Sequence, residues 1–409
     1  MDGNTNNGQG GALIDEIADW LMDQALGKVD LATLSEQFFN RLYAAGIPVS
    51  RGHIAFDTLH PLFAAVSMEW NRGKGIETNY HPHVTAKHSE NWLNSPFYAM
   101  IENDMTFLRR HLSGDEVLLD FPILKELQEA GGTDYLAYVV RFGDIRTDSG
   151  IIGSWMTDRP AGFSDRDLRS LLRLQKRLGV AYKIGIREQI SENIVTAYLG
   201  RSAGQKVMNG SIQRGDGEDI HAVIWFCDLR GSVKLANALP RGEFLTLLNS
   251  FLECMAGAVL DNGGEVLRFV GDAALAIFTI DGQGNHSCKA SEACKNALAA
   301  AGDAAKRISA LNQQRQENGD SVLEYGLGLH IGDVMYGNIG SPERIEFTVI
   351  GAAANMAARI ESKCKVLGKP LLISAEFAGK FPGQLQSVGH HQLDGIDEEQ
   401  ELFTNIQLP

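Results

Sequence analysis

The chain has 409 residues, of which 44% are hydrophobic and 22% charged. That balance excludes a disordered polypeptide, and the length suits two domains with a linker better than one. A formal net charge of −14 argues against general affinity for nucleic acid or anionic membrane, though not against a small anionic ligand held by a few local cations.

Residues 1–11 are polar, lack the basic and apolar regions of a signal peptide, and are expected to form a disordered tail. Over 12–46 the apolar residues Leu13, Ile17, Trp20 and Leu21, then Leu34, Phe38 and Leu42, recur at helical spacing, which predicts two helices packed over a sheet. Val66-Ser-Met-Glu-Trp70 reads as a strand, and the polar segment 71–89 as loop. A short helix over 121–128 precedes β-type runs at 135–142 and 150–156. This mixture of helices and antiparallel strands resembles an α+β sensory fold of the GAF or PAS type, spanning 12–185. His81, His83 and His88 form a pattern open to a metal or haem, for which a solvated loop is the preferred reading. Trp70, Trp92 and Trp155 read as core.

Ser164 or Asp165 caps a helix whose apolar positions run through Leu168, Leu171, Leu174, Leu178 and Ala181 and continue through Ile186, Ile190, Ile194 and Tyr198. The first stretch reads as the last core helix of the N-terminal domain. The second, in a helical linker and hinge over 186–217, reads as a parallel dimer seam. The five cysteines, Cys227, Cys254, Cys288, Cys294 and Cys364, lack zinc-site spacing, so reduced thiols and a cytoplasmic location are expected. No apolar stretch reads as the roughly 18–20 residues needed to cross a bilayer.

From 218 to 409 the pattern gives a strand (222–227), a helix (241–260), a hairpin (264–279), a helix (287–311), a strand (324–331) and a short strand and helix (347–362). A β-α-β-β-α-β order makes a ferredoxin-like sheet with helices on one face. Its first strand and central hairpin would then bring together Asp228, which closes an apolar run, and Asp272 of the Gly271-Asp272 turn. Two carboxylates aimed at one spot repel unless a divalent cation or another positive group meets them.

Phe226-Cys-Asp228-Leu-Arg-Gly231-Ser, Phe269-Val-Gly271-Asp272, Gly328-Leu-His330-Ile-Gly332 and Phe347-Thr348-Val-Ile-Gly351-Ala-Ala-Ala-Asn355-Met-Ala-Ala-Arg359 resemble, in order, the motifs of the class III nucleotidyl cyclases, in a form like subclass b. The resemblance implies that Asp228, Asp272 and the Leu229 carbonyl bind two Mg²⁺ or Mn²⁺ ions. The backbone donors of Leu229, Arg230, Gly231, Ser232 and Val233 would cradle the phosphates. Asn355 would orient the ribose and Arg359 the α-phosphate, while Arg268 and Thr348 would read the base. The activity implied is conversion of ATP to 3′,5′-cyclic AMP and pyrophosphate at the interface of a homodimer, because the family draws its metal aspartates from one subunit and the other groups from its partner. An unidentified small molecule or protein would act on the N-terminal domain.

Arg268 stands where adenylate cyclases of this family usually carry lysine, and arginine also pairs with guanine acceptors. Guanylate cyclase activity is therefore one alternative, and a nucleotide-binding regulatory module with weak catalysis is another. Each residue has a plainer reading when taken alone. Asp228 would be a helix cap, Gly271-Asp272 a hairpin turn, Thr348 a strand threonine, Asn355 a cap and Arg359 a surface arginine. His330 reads as structural.

Overall fold

A computed structural model describes residues 6–86, 89–143, 150–280 and 289–405. The chain divides into two compact units, up to Ile194 and from Val195 onward.

The first unit begins with α1 (Asn6–Leu26) and α2 (Leu31–Ala44), the latter capped by Asp30, whose carboxylate accepts from the Thr33 N–H at 2.9 Å. Helix α1 starts ahead of position 12, inside the segment expected to be a tail. No apolar residue marks those first turns, so periodicity could not find them. Six strands follow: β1 (Arg51–Asp57), β2 (Phe63–Asn71), β3 (Gly75–Pro82), β4 (Phe107–His111), β5 (Asp134–Arg141) and β6 (Gly150–Thr157). They form one antiparallel sheet in the order β3-β2-β1-β6-β5-β4. Short helices α3 (His83–Ala86), α4 (Glu90–Leu93), α5 (Pro96–Glu102) and α6 (Pro122–Glu129) lie between strands.

Ile54, Phe56, Leu136, Tyr138 and Trp155 bury one sheet face against α1, α2 and the long α7 (Asp165–Leu199). Tyr135, Ala137, Val139 and Met156 bury the other against α5 and α6. Strand β5 therefore reads as a continuous apolar run because both its faces are covered. The segment 71–89, expected to be loop, contains β3 and α3. Strand β3 is an edge strand in which Ile76, packed on the first core, and Tyr80, beside Phe63, alternate with polar Glu77 and Asn79 along its ladder to β2.

Helix α7 opens with a reciprocal cap. The Asp167 N–H donates to Ser164 Oγ at 3.3 Å, and the Ser164 N–H donates to Asp167 Oδ2 at 2.9 Å. Leu171, Leu174, Leu178, Ala181, Tyr182 and Ile186 are buried in the first core. Beyond them the stripe emerges, with Ile194 40% and Tyr198 84% exposed.

The second unit carries α8 (Arg201–Met208), β7 (Gly217–Leu229), α9 (Ser232–Ala238), α10 (Arg241–Asp261), β8 (Glu265–Val270), β9 (Ala273–Ile280), α11 (Ala290–Glu317) and β10 (Tyr325–Ser341). It ends with β11 (Arg344–Ile350), α12 (Ala352–Leu367), β12 (Leu371–Ser374), α13 (Ala375–Ala378), β13 (Gln386–His391) and β14 (Gln400–Thr404). The expected β-α-β-β-α-β core is present, with β10-β7-β9-β8 as neighbours in an antiparallel arrangement. Strands β12, β14 and β13 extend the sheet beyond β10, and the far half of β10 forms a hairpin with β11.

Helices cover both faces, not one. Val223, Trp225 and Cys227 pack under α10 and α11, whereas Ile220, Ala222 and Ile224 pack with Ala353 and Ala357 of α12 and Ala203 of α8. Helix α10 is long and apolar enough by length and composition to cross a membrane, with a mean hydropathy of 1.4, which the reading of the sequence overlooked. Its Leu247, Phe251, Met255, Ala258 and Val259 are core residues of this unit.

Candidate active site

Strand β7 pairs with β9 so that Asp228 lies opposite Ala273, the residue after Asp272. The β8–β9 turn is tight, with Gly271 at φ +64°, a conformation that favours glycine. The two aspartates expected to meet therefore do so. The Asp228 carboxyl is pushed up to about 6, first by burial, then by the negative charge of Asp272 and a side-chain hydrogen bond with it. Its Oδ1 is buried without a hydrogen-bond partner. Among the described residues no group of three or more His, Cys, Asp and Glu gathers into a metal cluster. A hard cation fits this two-carboxylate set because it would answer both the orphaned oxygen and the repulsion, with the Leu229 carbonyl and substrate oxygens completing its shell.

After Asp228 the chain turns through Gly231 (φ +68°) into α9, which has no side-chain cap. Lys234 and Leu235 both donate to the Gly231 carbonyl. The N–H groups of Ser232 and Val233 thus fall in a first turn that offers them no intrahelical acceptor. The Arg230 N–H donates to the Glu324 carbonyl at 2.8 Å, so this donor is taken and drops out of the expected cradle.

The Arg230 side chain has a different place. A Cβ added to Gly326, the partner of Asp228 across the sheet, would collide with Glu361 Oε1 and fall 3.0 Å from Arg230 Nη2. Glu361 of α12 is pushed up to about 7, chiefly by burial and next by the charge of Asp228, while Arg230 opposes the shift. The site thus has a third carboxyl that the motifs did not reveal. Its only trace in the sequence is a helical offset of two from Arg359, which turns it toward the sheet.

Arg268 of β8, beside a bulge, and Thr348 of β11 form a second cluster. Thr348 is 1% exposed, and both its Oγ1 and Arg268 Nε are buried without partners. Arg268 Nη1 donates to Glu346 Oε1 at 2.8 Å. Glu346 was not anticipated, although its position two residues before Thr348 on one strand places both on the same face.

Asn355 and Arg359 are exposed on α12, on the side away from buried Ala353, Ala357, Ile360 and Cys364. The charged neighbours that shift Asp228 are Asp272 and Arg230. Within one chain, then, the structure brings the two aspartates together, ties Arg268 to Glu346 on the strand that carries Thr348, and leaves Asn355 and Arg359 exposed.

The histidines have ordinary partners. His330 is buried with its Nδ1 2.9 Å from Ser374 Oγ. His81 Nε2 lies 2.8 Å from Ser67 Oγ, and His83 Nε2 lies 2.9 Å from the His60 carbonyl. His88 and Cys288 lie outside the described residues. Burial pushes the thiols of Cys227 and Cys364 up to about 12.

Residues 218–374 match the model of the adenylate and guanylate cyclase catalytic domain. An adenylate cyclase of Anabaena cylindrica is 33% identical over 168 residues, covering 40% of this chain and 31% of its own length. An uncharacterized protein of Mycobacterium tuberculosis is 33% identical over 193 residues, covering 47% and 33%. The chain thus spans about a third of the length of these relatives. Among solved structures, the adenylyl cyclase CyaB from P. aeruginosa aligns at 25% identity with a TM-score of 0.42, over 46% of this chain and 94% of that one. The guanylyl cyclase Cya2 aligns at 26% identity with a TM-score of 0.40, over 46% and 92%. Residues 218–374 therefore carry an adenylate and guanylate cyclase catalytic domain.

Proposed function

We propose that the protein is an adenylate cyclase that forms 3′,5′-cyclic AMP and pyrophosphate from ATP as a homodimer, under the control of a GAF-like N-terminal unit. The observation that carries the choice of base is the pair of buried, unpartnered groups Arg268 Nε–H and Thr348 Oγ1. One is a fixed donor and the other can accept, which matches adenine N1 and its N6 amino group.

Two Mg²⁺ or Mn²⁺ ions at Asp228, Asp272 and the Leu229 carbonyl would supply Lewis acidity toward the ribose 3′-hydroxyl and neutralise the triphosphate. The free donors of Gly231, Ser232 and Val233 hold phosphate oxygens at the entrance to α9. Asn355 orients the ribose, and Arg359 holds the charge that gathers on the α-phosphate as O3′ attacks in line and pyrophosphate leaves. Asn355 and Arg359 are exposed and are not among the groups that shift Asp228, which supports a second chain bringing them, with the complete site at a dimer interface. The emerging stripe Ile190, Ile194 and Tyr198 supports a dimer seam leading into the catalytic unit.

The test is Mn²⁺-supported turnover of ATP and of GTP by the full chain, with products resolved chromatographically. Cyclic AMP formed with clear preference for ATP is expected. Equal or better turnover of GTP overturns the adenine assignment, and no product from either nucleotide favours a binding module. A guanine reading has one feature in its favour, the Glu346 carboxylate, which could accept from guanine N1–H.

A further inference from the structure

We propose that the N-terminal unit binds a small zwitterion with an apolar body, of the α-amino-acid class, in the cleft between helix α6 and the ends of β1, β2 and β6. This goes beyond the proposed function by naming an occupant for that unit, and it does not depend on which nucleotide the catalytic domain takes.

The cleft has a volume of about 520 Å³, within the range of small-molecule sites. Ile123 and Leu127 of α6 and Met156 of β6 give it an apolar wall. Its charged groups sort into those already answered and those left open. Arg72 and Asp158 close on each other through two hydrogen bonds. Glu69 spends one oxygen on Arg51 and the other on Asn71. Arg51 is less fully used. Its side chain is 13% exposed, and Glu69 is its side-chain acceptor among the described residues. A guanidinium has five N–H donors, so most of those on Arg51, in a nearly buried side chain that borders the cleft, lack a protein acceptor. Lys74 in the β2–β3 turn and Glu126 on α6 border the same cleft, and neither side chain pairs with a described residue.

The strand side therefore offers a guanidinium fork and an ammonium, and the helix side a carboxylate next to Ile123 and Leu127. A ligand carboxylate suits the fork, because arginine binds planar carboxylates through two parallel bonds. A ligand ammonium suits Glu126, and an aliphatic or aromatic group suits the apolar wall. A phosphate head would also meet the cations, but three carboxylates, Glu69, Glu126 and Asp158, border the cleft beside three cations. That balance favours an occupant of zero net charge over a dianion.

The test is isothermal titration calorimetry on the full chain with L-leucine, L-methionine and L-phenylalanine, with the deaminated acids isocaproate and phenylpropionate, and with inorganic phosphate. At least one amino acid should bind with a dissociation constant of about 1 mM or tighter, ahead of its deaminated counterpart and of phosphate. Lys74→Ala should weaken that binding about threefold to fivefold. Glu126→Gln should weaken it by a similar factor and leave the deaminated acids unchanged. Both side chains are exposed and unpaired, so these variants should fold. Arg51→Lys, which keeps a cation for Glu69 and removes the fork, should weaken it about tenfold. Failure of every amino acid to bind overturns the proposal, as does binding that none of the three variants changes. Deaminated acids or phosphate binding as tightly as the amino acids overturns it too, since the site would then be a general anion site. Cyclase turnover plays no part in this readout, so failure of the adenylate reading would leave the result standing.

Discussion

Each unit places an aspartate at the end of a sheet strand, and the two are treated in opposite ways. Asp134, fully buried in the first unit, accepts from Arg109 at 2.6 and 3.2 Å and from the Phe163 N–H at 2.8 Å. Asp228, less buried, keeps one oxygen with no partner and faces Asp272. The contrast extends to the other orphaned atoms. Those of the first unit, on His53, Tyr138, Trp155 and Gln189, belong to neutral groups, whereas the second unit, besides the neutral Trp225 and Thr348, leaves atoms of the charged Asp228, Arg230 and Arg268 unmet. An unmet charged group costs far more than an unmet neutral one. The contrast between Asp134 and Asp228 supports the proposal that a ligand completes the second site.

The largest test of this contrast is a pair of single substitutions, one at each aspartate. Asp228→Asn should lower cyclase turnover by about 10³-fold or more while leaving the melting temperature unchanged or higher, because a repulsive pair is removed. Asp134→Ala should instead destabilise the protein by about 3–5 kcal/mol, since it strands Arg109. Thermal melts beside turnover assays decide, and equal destabilisation by both changes would erase the distinction.

Next is subunit complementation. Chains carrying Asp228→Asn and chains carrying Arg359→Ala should each be inactive alone. Mixed and re-equilibrated, they should recover about a quarter of wild-type turnover, because half of the dimers would be mixed and each of those would hold one intact site. No recovery would mean that one chain holds its whole site.

A smaller effect is expected in the pH dependence of stability without metal. Asp228 and Glu361 are raised to about 6 and about 7 from ordinary values of 3.8 and 4.5. The folded state thus holds their protons more tightly than the unfolded chain does. This contribution is fully present below about pH 4 and is lost as pH rises through 6 to 7. In a chelator, the melting temperature should fall between pH 5 and pH 8, and Glu361→Gln should flatten that fall. A melting temperature that rises over this window would show that these carboxyls are answered after all. Added Mn²⁺ should restore stability at pH 8 in wild type and much less in Asp228→Asn.

The parts of the site that the sequence displayed were those whose chemistry is local. A carboxylate at the end of an apolar strand, a Gly-Asp turn and an Asn–Arg pair four apart on a helix can be read without knowing what lies across the sheet. The strands were legible for a similar reason, since β5 and β7 are buried on both faces and appear as unbroken apolar runs. Strand β3 escaped because it is a largely exposed edge strand whose few apolar positions, Ile76 and Tyr80, are set among polar residues. Glu361 and Glu346 escaped because each is an ordinary surface-type residue until its neighbours are known.

The sequence by itself therefore determined the βαββαβ core, the two aspartates that meet at its turn and the helix and strand faces on which the other candidate residues lie. Only the tertiary structure decided that Arg230 spends its backbone donor on Glu324, that Glu361 joins the aspartates across Gly326, and that Arg268 is held by Glu346. The physical reason is separation. Periodicity fixes which way a side chain points from its own element, but the charge it meets comes from a strand or helix tens of residues away, and that meeting is set by how the sheet and helices pack.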